Sequence, residues 1–136
     1  MKSYLKTTAG VVLSATMATA SYGATVNVGE LQGFTGPLES MIGAMSGGAN
    51  LAVTEANASG AYLQGTINVV QGDSVCIDPA VAIAQAEKMV NDDNVMAIMG
   101  PNCSGNTGAV ITNVLVPNGI VSISPSATSP ALTTLE

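Results

Sequence analysis

Residues 100–109 read GPNCSGNTGA: a cysteine, a serine and a threonine set among glycines, with no charge. They follow an apolar run, Val95 to Met99 (VMAIM). Gly100, Gly105, Asn106 and Thr107 nearly spell the nucleotide-binding pattern G-x-x-x-x-G-K-[ST]. Asn106 stands where that pattern needs its lysine, so nothing in the stretch answers a triphosphate. Neutral donors suit a small, weakly charged anion such as a carboxylate. A helix starting near Ser104 or Gly105 leaves backbone N–H groups unpaired at its tip. Ser104 adds a hydroxyl, and the later loop Ser124–Thr128 (SPSAT) adds the hydroxyl of Thr128 and the backbone of Ser126 and Ala127. Taken singly, each of these serines and threonines reads as a turn or cap residue. Their convergence on one edge of a fold would make them a site.

The charge balance narrows the partners. The chain holds 3 Lys+Arg, 9 Asp+Glu and no histidine. Two of the three cations, Lys2 and Lys6, sit at the very start, and the third is Lys88. A surface so short of cations repels nucleic-acid phosphates and anionic membranes. The lack of histidine excludes a histidine base or a histidine metal site, and no cofactor is implied. An exported hydrolase using Ser104 as nucleophile is a rival reading. It lacks a base, because Lys88 falls on a different helix in the expected layout. A purely structural domain is disfavoured by the polar loops gathered at one edge.

The first 24 residues read as a secretory signal peptide: a basic start, the apolar and small run Ala9–Ala20, then SYGA. Cleavage is expected after Ala20, Gly23 or Ala24. The run is far shorter than the ~20 residues needed to span a bilayer, so no anchor is read from it. Export permits a disulfide between the two cysteines, Cys76 and Cys103, with two free buried thiols as the alternative.

The elements that must position these groups follow from periodicity. Thr25–Leu31 alternates as a first strand. Pro37 is placed to open a helix whose apolar positions Leu38, Met41, Ile42, Met45, Ala49, Ala52, Val53 and Ala56 recur at helical spacing as a methionine-rich core face, with Met41, in the first turn, the exception, and the helix ends at Ser59-Gly60. Gly65–Gln71 is a second strand. Asp78 caps a second helix with Pro79 at its first position. Asn91-Asp92-Asp93-Asn94 reads as a solvated turn. Val95–Met99 is a third strand, Asn106–Val116 a third helix, and Gly119–Ile123 a fourth strand. Pro130 opens a further helix. The order β-α-β-α-β-α-β-(α) predicts an α/β fold with a parallel, doubly wound sheet. Such sheets hold ligands outside the carboxyl ends of their strands, where all the polar loops fall.

These motifs carry a resemblance. Thr35-Gly36-Pro37, DSVCIDPAVA (Asp73–Ala82), GPNCS (Gly100–Ser104) and GIVSISPSATSPALT (Gly119–Thr133) are similar to the periplasmic branched-chain amino acid binding proteins of ABC transporters, from about Val26 to Thr134. The resemblance implies a two-lobed fold with the ligand between the lobes, in a monomer that delivers an amino acid to a membrane permease from the periplasm. Residues 25–136 would then be the N-terminal part of lobe 1 of a longer protein. It places the family's lobe-one disulfide on Cys76 and Cys103. It puts the carboxylate-gripping serine on Ser104, a threonine contact on Thr128, and backbone contacts on Ser126 and Ala127. Met41 falls where many members hold an aromatic residue against the ligand, and Asn102 where some have an apolar pocket residue. Both departures bear on the side chain a ligand would carry. The acid that pairs with the ligand ammonium comes from the second lobe in the family, so none is assigned here, and Glu39 reads as solvated. Relatives carry leucine, other aliphatic amino acids, amides, urea or aromatic acids. A ligand-sensing receptor ectodomain of the same fold is the alternative function.

Overall fold

A computed structural model describes residues 23–60, 62 and 65–135. The expected signal peptide therefore lies almost wholly outside the described residues. Four strands form one sheet: β1 (Ala24–Gln32), β2 (Gly65–Asp73), β3 (Val95–Met99) and β4 (Val121–Ile123), in the spatial order β2-β1-β3-β4. Every pairing is parallel, as β-α-β connections require. All four carboxyl ends therefore share one rim.

Helix α1 (Glu39–Ser59) joins β1 to β2 and ends on Gly60, which takes the left-handed backbone of a helix C-cap. Helix α2 (Pro79–Asn91) begins as its sequence dictates: the Asp78 carboxylate accepts the Ala80 N–H at 2.9 Å, and Pro79 leads the first turn. Helix α3 starts at Ser104, earlier than the expected Asn106. It runs as Ser104–Val110, widens into a π segment over Ile111–Leu115, and closes with Val116–Asn118. Pro117 has no N–H to offer the turn behind it, which accounts for an irregular ladder there. A 3-10 turn, Pro130–Thr134, replaces the expected last helix.

The core lies on one side of the sheet. Leu31, Ala82, Ala86, Met89, Val95, Ile98, Val110, Val114 and Leu115 form a single buried cluster of sheet, α2 and α3. Gly29 and Gly72 give Met89 its room, since a Cβ on Gly72 would come within 2.7 Å of the Met89 methyl carbon.

The other side is thin, and here the expectation for α1 needs correction. Of its apolar stripe only Ile42 is buried, and Ala52 is exposed; Met41, the expected exception, is half exposed. The reason is topological: α1 packs over β2, and no described element covers β3 and β4 on that face. Val28, Ala97, Met99, Val121 and Ile123 line an apolar depression there. Val121 and Ile123 are 66% and 73% exposed.

Candidate functional site

The rim is built by loops that follow the four strands, and hydrogen bonds rather than apolar packing join them. The β1 and β2 loops meet first. Ser74 N–H donates to Gln32 O at 2.8 Å. The Thr35 hydroxyl donates to Asp73 at 2.6 Å, and the Val75 N–H to the same carboxylate at 2.9 Å. Burial pushes the Asp73 carboxyl up, but these bonds, with those from the Thr35 and Phe34 N–H groups, outweigh it and hold its pKa below the ordinary value. Val75 and Cys76 both adopt positive φ, 48° and 68°, to turn the chain toward the third loop.

There the expected disulfide is present: Cys76 is bonded to Cys103, with Cα atoms 5.5 Å apart. It ties the β2 and β3 loops above the sheet. The Asn106 amide supports the same junction by donating to Ser74 O at 2.8 Å. Asn106 is buried, so the position that broke the phosphate pattern is a structural strut.

Asn102 lies beneath the β1 loop. It is 3% exposed, and its side-chain oxygen accepts the Gly33 N–H at 2.9 Å. Its amide nitrogen is buried without a partner among the described residues. Short and polar where some members of the resembled family carry an apolar side chain, it braces the β1 loop from within the protein.

The β3 and β4 loops are laced by alternate serines. The Ser122 hydroxyl donates to Gly100 O at 2.5 Å, Ser124 to Pro101 O at 2.6 Å, and Ser126 to Asn102 O at 2.8 Å. Pro101 and Pro125 lack N–H groups, so backbone pairing cannot run on through them. Side-chain hydroxyls extend the β3–β4 pairing beyond the strand ends instead. Sequence reasoning passed over Ser122 and Ser124; the signal was there in the alternation S-x-S-P-S beside a proline in each strand's extension.

The lacing ends at Ser104. Its Oγ accepts the Thr128 N–H at 3.1 Å and the Ser129 N–H at 3.2 Å. With both lone pairs engaged, its one proton is left to donate. Thr128 is exposed, and its hydroxyl has no partner among the described residues. Ala127 N–H is taken by Ser124 Oγ at 2.9 Å, and Ser126 N–H approaches the same oxygen at 3.4 Å. The free backbone groups at Ser126 and Ala127 are therefore carbonyls. Ser104, Thr128, Ser126 and Ala127 thus meet at one place. Met41, half exposed in the first turn of α1, stands on the same rim beyond the β1 loop.

The rim offers two hydroxyl donors beside two carbonyl acceptors, with no charged side chain among them. That set matches a zwitterion, carboxylate toward hydroxyl and ammonium toward carbonyl. The apolar depression on the α1 side of the sheet offers neither group and is no rival for such a ligand.

Comparison with known proteins places the chain in a class. Residues 25–134 match the family described as periplasmic binding protein, and the chain belongs to that family. It is 36% identical over 104 residues to the Leu/Ile/Val-binding protein of Escherichia coli strain K12, a match covering 68% of this chain and 28% of that one. An amino acid binding protein of Pseudomonas aeruginosa is 34% identical over 86 residues, covering 63% and 22%. Among solved structures, the branched-chain amino acid transporter substrate binding protein LivJ of Streptococcus pneumoniae, in complex with isoleucine, is similar with a TM-score of 0.74 at 35% identity, covering 81% of this chain and 31% of that one. The leucine binding protein LivK of Thermotoga maritima shares the fold at a TM-score of 0.71 and 20% identity, covering 80% and 30%. The chain spans under a third of the length of these relatives.

Proposed function

We propose that this chain is the first part of lobe 1 of an extracytoplasmic solute-binding protein that hands an amino acid, branched-chain or related, to the permease of an ABC importer. The observation that carries the proposal is the meeting of Ser104 with Thr128, with donors and acceptors divided as an amino acid's two charged ends require. Ser104 donates to the ligand carboxylate and Thr128 adds a second hydroxyl. The carbonyls of Ser126 and Ala127 receive the ammonium, and Met41 lies against the side chain. Asn102 holds the loops in place from beneath. No residue in the set suits catalysis, and the protein works as a periplasmic monomer. The names of the relatives favour transport over a receptor ectodomain.

In this reading, residues up to Ala20 or Gly23 are removed on export, since either cut leaves β1 whole. A cut after Ala24 would take the first residue of that strand. Ligand is shared between two lobes, so affinity resides in the closed form. The test is calorimetric titration of leucine, isoleucine and valine into a chimera in which residues 25–134 replace the matching segment of the E. coli Leu/Ile/Val-binding protein. Binding that disappears with Ser104→Ala supports the proposal. A folded chimera that ignores every amino acid, amide and aromatic acid in a panel refutes it.

A further inference from the structure

We infer that Ser124 is the positioning residue of this site: it touches no ligand, yet it sets which backbone groups the rim presents. The inference rests on the amino-acid-binding reading above. One half-buried hydroxyl meets three groups. It donates to Pro101 O at 2.6 Å and accepts Ala127 N–H at 2.9 Å, with Ser126 N–H at 3.4 Å. The first bond fixes the β4 loop against the β3 loop. The other two turn the 126 and 127 N–H groups inward, so that the carbonyls of Ser126 and Ala127 are left over for an incoming ammonium.

The position has little slack. Pro101 O also receives the Thr107 hydroxyl at 2.9 Å, so both of its lone pairs are used and α3 is tied into the same point. Pro125, next in sequence, cannot donate from its own backbone. Without the Ser124 oxygen, the Ala127 N–H loses the acceptor it has among the described residues and is free to turn outward. The rim would then show a donor where a cation needs an acceptor. Ser122 and Ser126 make one bond each through their hydroxyls and organise no neighbouring N–H.

The test uses the two-lobed chimera described above, comparing the wild-type sequence with Ser124→Ala, Ser124→Thr and Ser124→Val. Amide hydrogen exchange read by NMR reports the loop directly. Protection of the Ala127 N–H is expected to fall roughly tenfold in Ser124→Ala and Ser124→Val and to persist in Ser124→Thr, the scale of one lost hydrogen bond. Leucine at millimolar concentration serves as probe. Shifts at the Ser104 and Thr128 amides are expected in wild type and Ser124→Thr, and are expected to vanish in the other two. Unchanged Ala127 protection in Ser124→Ala overturns the inference. So does loss of protection with the leucine response intact. If wild type gives no leucine response, the binding reading fails, and the loop geometry is judged on protection alone. Should Ser124→Ala unfold, Ser124→Val against Ser124→Thr, nearly equal in shape, makes the same comparison.

Discussion

The side-chain oxygen of Ser104 lies 3.1 Å from the backbone nitrogen of Thr128, joining the loop after β3 to the loop after β4. Ser129 N–H reaches the same oxygen. One serine thus organises both halves of the proposed carboxylate grip, and it does so before any ligand arrives. Ser104→Ala is expected to lower urea-unfolding stability by about 1 kcal/mol, because two N–H groups lose their acceptor while water replaces it in part at a half-buried place. A change below a few tenths would mean that the two bonds contribute nothing to the folded state.

Asp73 gives the fold an acid-sensitive joint. Its folded pKa is lowered against the unfolded value. The stability it supplies is therefore complete above the unfolded pKa and is lost as pH falls through the folded one. The window opens below about pH 4, the ordinary range for an aspartate. Thr35→Val removes the 2.6 Å bond while keeping the charge, so it should bring the folded pKa back up and flatten the loss of stability on acidification. Urea unfolding of both proteins from pH 5 to pH 2 reads the difference. Parallel curves would show that the Thr35 hydroxyl does not favour the ionised carboxylate.

The disulfide should count for more than any single hydrogen bond. Its cysteines are 27 residues apart, and a closed loop of that size stabilises by roughly 3.5 kcal/mol in the chain-entropy view. Paired replacement, Cys76→Ser with Cys103→Ser, is expected to lower stability by that order. It should also loosen the Val75–Cys76 turn, where both residues have positive φ. If the double variant matches wild type in urea, the loop is fixed by Asp73 and Asn106 alone.

How far the sequence was legible depended on what each signal measured. Strands showed because parallel strands buried on a sheet read as apolar runs: Val95–Met99 has the limits expected of it. Asp78-Pro79 showed because capping is local chemistry, settled within three residues. The α1 stripe misled for the opposite reason. Periodicity tells which side of a helix is apolar but not whether anything covers it, and Ala52 finds no cover among the described residues. At the site, Ser104 and Thr128 came from a resemblance together with the position of their loops. The serine ladder was missed, since a hydroxyl in a loop looks the same in sequence whether it caps a turn or bridges two strands. The depth of Asn102 was not legible, because type and position do not fix depth: its side-chain oxygen is claimed by Gly33, sixty-nine residues away.

The uncovered sheet face yields a last prediction. Val121 and Ile123 of β4 point to the α1 side, in register with Ala97 and Met99 of β3, and together with Val28 they form a continuous apolar strip. Neither β4 side chain is buried, so neither contributes much transfer free energy to folding. Ile123→Ser should therefore leave stability within about 0.5 kcal/mol of wild type, as for a surface change. The backbone bond from Gly100 N–H to Ile123 O, 2.8 Å, does not depend on the side chain and is retained. What should change is the affinity of the strip for apolar molecules. An anilinonaphthalene sulfonate dye is expected to brighten with wild type, less so with Ile123→Ser, and least with Val121→Thr and Ile123→Ser combined. A stability loss of 2 kcal/mol or more would show that this face is packed in solution, and equal dye response in all three proteins would place the exposed apolar surface elsewhere.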